Sequence, residues 1–266
     1  MQVCLDQWVV NIFADPISKI KIASSALEMT SGVIDARRYL PNTIGFMEWK
    51  EGQRFYEQWQ QRNADDYRRE IDGVRPVYDH IPMHGRILDV GGGIGTLRHF
   101  LSDDAEYLSI DPFVDCWKYS TSEMQSAYPC LTKPLNFIAA CAEFLPLEAR
   151  AFDCVHMRSV LDHVHSPDLA LLEARRVLKD SGKLVVGLYV DGGKSGYRPR
   201  LRALKEAVRP FLASAGLKRY KDHHIFHPTF IDLERIVHDN GFRVVDVYWQ
   251  PQWQDQVCYV TAQKST

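Results

Sequence analysis

Long apolar runs, paired cysteines and an excess of either charge are all missing from this 266-residue chain. No apolar stretch approaches the roughly 18 residues that a membrane helix needs, so no membrane span is predicted. The six cysteines, Cys4, Cys116, Cys130, Cys141, Cys154 and Cys258, never form a Cys-x-x-Cys pair. That spacing excludes a zinc finger and a compact disulfide framework, and it predicts a reducing compartment. The opening "MQVCLDQWVVNIF" has no basic residue and carries Asp6 early, which makes a poor secretory leader, so a cytoplasmic location is expected. With 32 Lys and Arg against 34 Asp and Glu, the net charge is −2. A duplex nucleic-acid binder would be basic, and that class is disfavoured.

Two phosphate signatures are also missing. The stretch "LDVGGGIGTL" (88–97) holds four glycines, dense enough to require a sharp bend or a close ligand. The dinucleotide fingerprint Gly-x-Gly-x-x-Gly fails in both registers, at Thr96 and at Arg98, and no Gly-Lys-Ser/Thr stands four residues after a glycine as the P-loop requires. What remains is Gly91, Gly93 and Gly95 directly after an apolar run. Twenty positions after Gly91 stands Asp111, in "SIDPF", placed to accept hydrogen bonds from ribose hydroxyls. The third strand ends in "CAEFLPL", where Glu143 with Phe144 is placed to flank an adenine ring. The ligand reads as a nucleoside without a diphosphate.

Around this turn the pattern alternates. Strands are predicted at 86–90, 106–110, 135–140, 152–160 and 183–190, with helices between them, which implies a parallel sheet. Ser166 and Pro167 open a helix that Gly182 is expected to stop. After a helix over 227–241, two strands joined by a short link must pair antiparallel, and the sheet is expected to end on that antiparallel strand. Residues 1–75 do not join the rhythm and read as a small N-terminal unit, followed by a main domain at 76–266.

In order and spacing, "LDVGGGIGTL", "SIDPF", "AACAEFLPLEARAFDCV" and "LALLEARRVLKDSGKLVV" resemble the motifs of class I S-adenosylmethionine-dependent methyltransferases, in the small-molecule branch similar to the ubiquinone/menaquinone-type enzymes. The resemblance covers about residues 84–263. It implies an α/β Rossmann-like fold: a seven-stranded, mostly parallel sheet whose last strand is antiparallel. It implies S-adenosylmethionine as cofactor, with Asp89, Gly91, Gly93 and Gly95 at its methionine part, Asp111 and Pro112 at the ribose, and Ala142 and Glu143 beside the adenine. Arg158 and Ser159 would face the sulfonium and the acceptor. The segment "DPISK…SGVIDARRYLPNTIGFMEW" resembles a small zinc-ribbon-like unit without its cysteines, Asp15 standing where a Cys-Pro pair belongs.

The acceptor side is read more openly. His163, His224 and His227 are candidate general bases, although His163 also suits packing behind the cofactor. His223, His224 and His227 form His-His-x-x-His, but Asp222 is the only nearby acid, so no metal is expected. Trp49 and Tyr56 are candidates to cap the acceptor pocket. Residues 191–226 form a basic insertion, with Arg198 and Arg200 among its cations, which is either a solvated face or a contact for an anionic acceptor. A small-molecule methyltransferase is the expected function, and a non-catalytic partner subunit that keeps the fold is the alternative.

Overall fold

Neighbouring apolar residues on the buried strands set the architecture. In Arg86–Val90 (β3), Ile87 joins one apolar cluster and Leu88 the other. Successive strand residues face opposite sides, so a strand buried on both sides needs helices on both. The computed structural model has that form. It describes residues 2–26, 28–30, 32–37, 62–113, 120–196, 208, 211, 224, 226–251 and 255–265.

Nine strands form one sheet among the described residues: Met29–Thr30 (β1), Val33–Asp35 (β2), β3, Glu106–Asp111 (β4), Phe137–Ala139 (β5), Phe152–Arg158 (β6), Leu178–Tyr189 (β7), Phe242–Trp249 (β8) and Val257–Lys264 (β9). Their order is β1-β2-β5-β4-β3-β6-β7-β9-β8. The strands from β2 to β7 run parallel, and β9 is antiparallel to both its neighbours.

Ala64–His80 (α2) covers one face, where Tyr67, Ile71, Val74, Val77 and Tyr78 pack with Ile87, Tyr107, Cys154 and Tyr259. Pro167–Val177 (α4) and Phe230–Asp239 (α5) contribute Ala170, Leu171, Ala174, Leu233 and Val237 to the cluster on the other face. The short helices Gln7–Val10 (α1) and Ser122–Ala127 (α3) complete the described set. No described helix is long and apolar enough to cross a membrane.

Three expectations are corrected. The sheet has nine strands rather than seven, because β2 adds to β5 through Ile34↔Ile138 and β1 folds back on β2. Strands this short carry too few residues for a periodic signal. The antiparallel strand is not the edge: β9 lies between β7 and β8. Burial decides this, since Cys258, Tyr259, Val260 and Ala262 of β9 are buried while Arg243, Val245 and Asp246 of β8 are exposed. The helix expected to reach Gly182 ends at Val177, and β7 begins at Leu178.

This order places the site. From β3 the chain winds through β4 to β5 on one side, then returns to β6 and β7 on the other. Open sheets bind ligands beyond the carboxyl ends of the strands where the winding reverses. The glycine turn leaves β3 at that reversal.

Candidate active site

The turn is held from β4 and from within: Gly91 N donates to Ile110 O at 2.7 Å and Gly95 N to Gly92 O at 2.9 Å. Gly91, Gly93 and Gly95 have φ of +69°, +50° and +78°, in the left-handed region that favours glycine. Their reasons for being small differ. A Cβ on Gly91 would lie 2.4 Å from Val160 Cγ2, one on Gly92 2.6 Å from Asp89, and one on Gly95 2.8 Å from Leu135. At Gly93 the nearest atom is Asp111 Oδ2 at 3.9 Å. Three of these glycines admit protein, and Gly93 alone leaves its space open.

The resemblance sets Asp89 against the ligand, but the structure gives its carboxylate other partners. Tyr107 OH donates to Asp89 Oδ2 at 2.6 Å, and His156 Nδ1 lies 2.7 Å from Oδ1. Tyr78 OH stands 3.2 Å from His156 Nε2. This buried chain of four side chains anchors the turn from behind.

Across the opening, Asp111 Oδ2 accepts from Gly93 N at 3.2 Å and Oδ1 from Phe113 N at 2.9 Å. Burial pushes its carboxyl up to about 7, against the opposing pull of those two backbone donors. Pro112 is met by a residue that sequence reasoning missed. Arg37, just past β2, donates from Nη1 to Pro112 O at 3.1 Å and grips Asp35 through Nε and Nη2. Burial opposes ionisation of Asp35, yet Arg37 holds its carboxyl down at about 2. No motif marks Arg37; only the pairing of β2 with β5 brings it here. Ala142 is buried after β5, and Glu143 Oε1 accepts from His165 N at 2.9 Å and Ser166 N at 3.3 Å, bracing the entry to α4.

The end of β6 forms the other wall. Arg158 Nη1 approaches Glu70 Oε1 of α2 at 3.8 Å. Ser159 has φ +52°, costly for a residue with a Cβ, and its amide donates to Gly187 O at 2.8 Å. That reversal sets Val160 against Gly91 and leads to Asp162, which is 7% exposed. Phe226 N donates to Asp162 O at 3.3 Å, bringing the histidine-bearing segment onto this loop. Asp162 Oδ2 then lies 3.9 Å from His163 Nε2 and 3.7 Å from His224 Nε2. The two imidazole centroids are 4.6 Å apart, and His227 Nε2 donates to His224 O at 3.1 Å.

The structure thus draws Gly93, Asp111, Pro112 and Arg37 together on one side and His163, His224 and His227 on the other. Asp162 joins the histidines although it is distant from His224 in sequence; its position directly before His163 was the available signal. Trp49, Tyr56, Arg198, Arg200 and His223 lie outside the described residues.

Known proteins are similar to this chain in sequence and in fold. The chain is 31% identical over 180 residues to the malonyl-[acyl-carrier protein] O-methyltransferase of Geobacter sulfurreducens, covering 59% of this chain and 63% of that protein. It is 35% identical over 103 residues to the ubiquinone/menaquinone biosynthesis C-methyltransferase of Agrobacterium fabrum, covering 38% and 40%. The chain therefore spans less than two thirds of either relative. Among solved structures, a possible histamine N-methyltransferase from Thermotoga maritima matches with a TM-score of 0.55 at 17% identity, over 82% of this chain and all of that one. The 1,6-didemethyltoxoflavin-N1-methyltransferase of Burkholderia thailandensis, solved with S-adenosylhomocysteine, matches with a TM-score of 0.52 at 17% identity, over 83% and 85%. At that identity the two structures speak for the fold. The model of the methyltransferase domain family matches residues 49–247, three quarters of the sequence, and the chain belongs to that family.

Proposed function

We propose that the chain transfers a methyl group from S-adenosylmethionine to a small-molecule acceptor. The observation that carries this reading is the open space at Gly93, facing the carboxylate of Asp111 across the ends of β3 and β4. Bound there, S-adenosylmethionine supplies an electrophilic methyl group. The chain's own part is placement: Gly93 lets the ligand approach bare backbone, and Asp111 accepts the ribose hydroxyls. Arg37 steadies the Pro112 turn. The loop from Arg158 to His163, with His224, borders the acceptor. Positioning and exclusion of water do most of the work in such a displacement. A non-catalytic subunit would have no need of the open Gly93 and the Asp111 opposite it.

The acceptor proposed is acidic or phosphorylated, free or on an acidic carrier. The cations of residues 191–226, Arg198 and Arg200 among them, support this in a chain of net charge −2. One relative, the malonyl-[acyl-carrier protein] O-methyltransferase, is named for an acceptor of this kind. A cytoplasmic setting fits the unpaired state of the five described cysteines.

Calorimetry tests the reading. S-adenosylmethionine and S-adenosylhomocysteine should bind at micromolar concentrations, and NAD and ATP should not. Gly93→Val should abolish binding without loss of fold. Equal binding of NAD would sink the assignment. In turnover assays, KM for the acceptor should rise with salt, and a flat salt profile would remove the acidic acceptor alone.

A further inference from the structure

The geometry points to a divalent transition-metal site built by Asp162, His163 and His224, at the acceptor side of the proposed active site. One ligand atom from each lies within 4.8 Å of the other two. Asp162 Oδ2 sits between two imidazole nitrogens at 3.7 and 3.9 Å, beyond hydrogen-bond reach of either. Ligands of one tetrahedral ion with bonds of about 2.0–2.1 Å stand roughly 3.3–3.5 Å apart. The two Asp162–imidazole separations exceed that spacing by only a few tenths of an ångström, and the two imidazole nitrogens, within 4.8 Å of each other, close the triangle once an ion draws them in.

A second observation points the same way. Asp162 is nine-tenths buried, and its Oδ1 has no hydrogen-bond partner among the described residues. A buried carboxylate in that condition is costly, and a cation is the partner that relieves it. The framework is also braced. The Phe226 amide holds the Asp162 carbonyl, and His227 holds the His224 carbonyl, so the backbone that carries these two ligands is fixed.

Two imidazoles and one carboxylate favour Zn²⁺, Fe²⁺ or Co²⁺ over Mg²⁺ and Ca²⁺, which prefer all-oxygen shells. Three protein ligands leave a position open, and His224, 45% exposed at its side chain, puts that position toward solvent. An acceptor bearing a carboxylate or hydroxyl oxygen fits the vacancy. This last clause rests on the methyl-transfer reading; the ion site itself does not. The expectation of no metal rested on the sparse acids beside His223–His227 and on the lack of an acidic cluster around the strand at 152–160; a single acid, Asp162 from the loop after β6, joins two histidines instead.

The test uses the full chain, stripped with chelator. Zn²⁺ and Mg²⁺ are titrated by calorimetry, and Co²⁺ is followed by its visible absorption. One Zn²⁺ or Co²⁺ per chain is expected, with Mg²⁺ silent. Asp162→Asn and His224→Ala should each weaken Zn²⁺ binding by at least about tenfold, the lower end of what loss of a mere outer-shell partner costs. His224 is half exposed, so His224→Ala should keep the metal-free melting temperature. Zn²⁺ binding absent, or lowered by His224→Ala but not by Asp162→Asn, would overturn the site, the latter marking a surface histidine pair. S-adenosylhomocysteine titrated in parallel separates the two readings. Its binding without Zn²⁺ defeats only the ion site, and Zn²⁺ binding without it defeats only the methyl-transfer reading.

Discussion

Asp111 is one residue with two pH dependences of opposite sign. Its carboxyl titrates near 7 in the folded chain against 3.8 ordinarily, because burial outweighs its two backbone donors. As pH falls from about 7 to 4, the native chain takes up a proton that the unfolded chain does not, so this group's contribution to folding stability rises in that window. If Asp111 holds the ribose as proposed, the hydroxyls bond the ionised form more strongly than the protonated one. S-adenosylhomocysteine affinity should therefore fall below about pH 7, by up to tenfold per unit. Asp111→Asn should bind more weakly, by about 1.5–3 kcal/mol, and lose the pH dependence. Calorimetry between about pH 5.5 and 8 checks both; a flat wild-type profile would release Asp111 from the ribose.

At the scale of elements, α2, β3, β4 and β6 are tied by the line Tyr78–His156–Asp89–Tyr107. Each member sits on the α2 face of its strand or on α2 itself, so the line crosses the packed layer rather than the ligand crevice. Burial holds the Tyr107 and Tyr78 hydroxyls far above their ordinary range, so both stay protonated donors. Tyr107→Phe would leave one buried oxygen of Asp89 unmet, at about 1–3 kcal/mol of stability. Thermal melts should show a drop of several degrees. S-adenosylhomocysteine affinity should stay within about threefold, roughly 0.7 kcal/mol. A loss of affinity larger than the loss of stability would return Asp89 to direct contact with the ligand.

Across the whole molecule, the first 37 residues are stitched into the sheet. Cys4 N donates to Leu135 O and Ala36 N to Ala139 O, at the entry and end of β5, and Ala14 N to Pro146 O in the segment that follows. Val9, Phe13, Val33 and Ile34 are buried. At about 1.5–3 kcal/mol each, their burial is worth about 6–12 kcal/mol, comparable with the whole stability of a domain. Deleting residues 1–37 should therefore yield a chain without a cooperative melt. A truncated chain melting within a few degrees of the full one would show the segment to be an appendage. The sequence reading of 1–75 as a small unit arose because strands of two and three residues leave no periodicity to detect.

Local chemistry was legible in the order of residues. The glycine spacing after an apolar run, the acid twenty positions on, and Ser166 before Pro167 each act through near neighbours, so turn, strand end and helix cap could be read directly. The alternation of strands and helices likewise fixed a parallel sheet, since short-range periodicity dictates which faces are buried. Contacts between distant segments were decided only by the tertiary structure. Which glycine leaves open space depends on Val160, Asp89 and Leu135 filling it at the others. Arg37 reaches Pro112 because a three-residue strand pairs with β5. Asp162 meets His224 because a single amide of Phe226 docks on the β6 loop. Such meetings follow from how the sheet stacks and closes, and pattern along one chain carries no record of what lies across it.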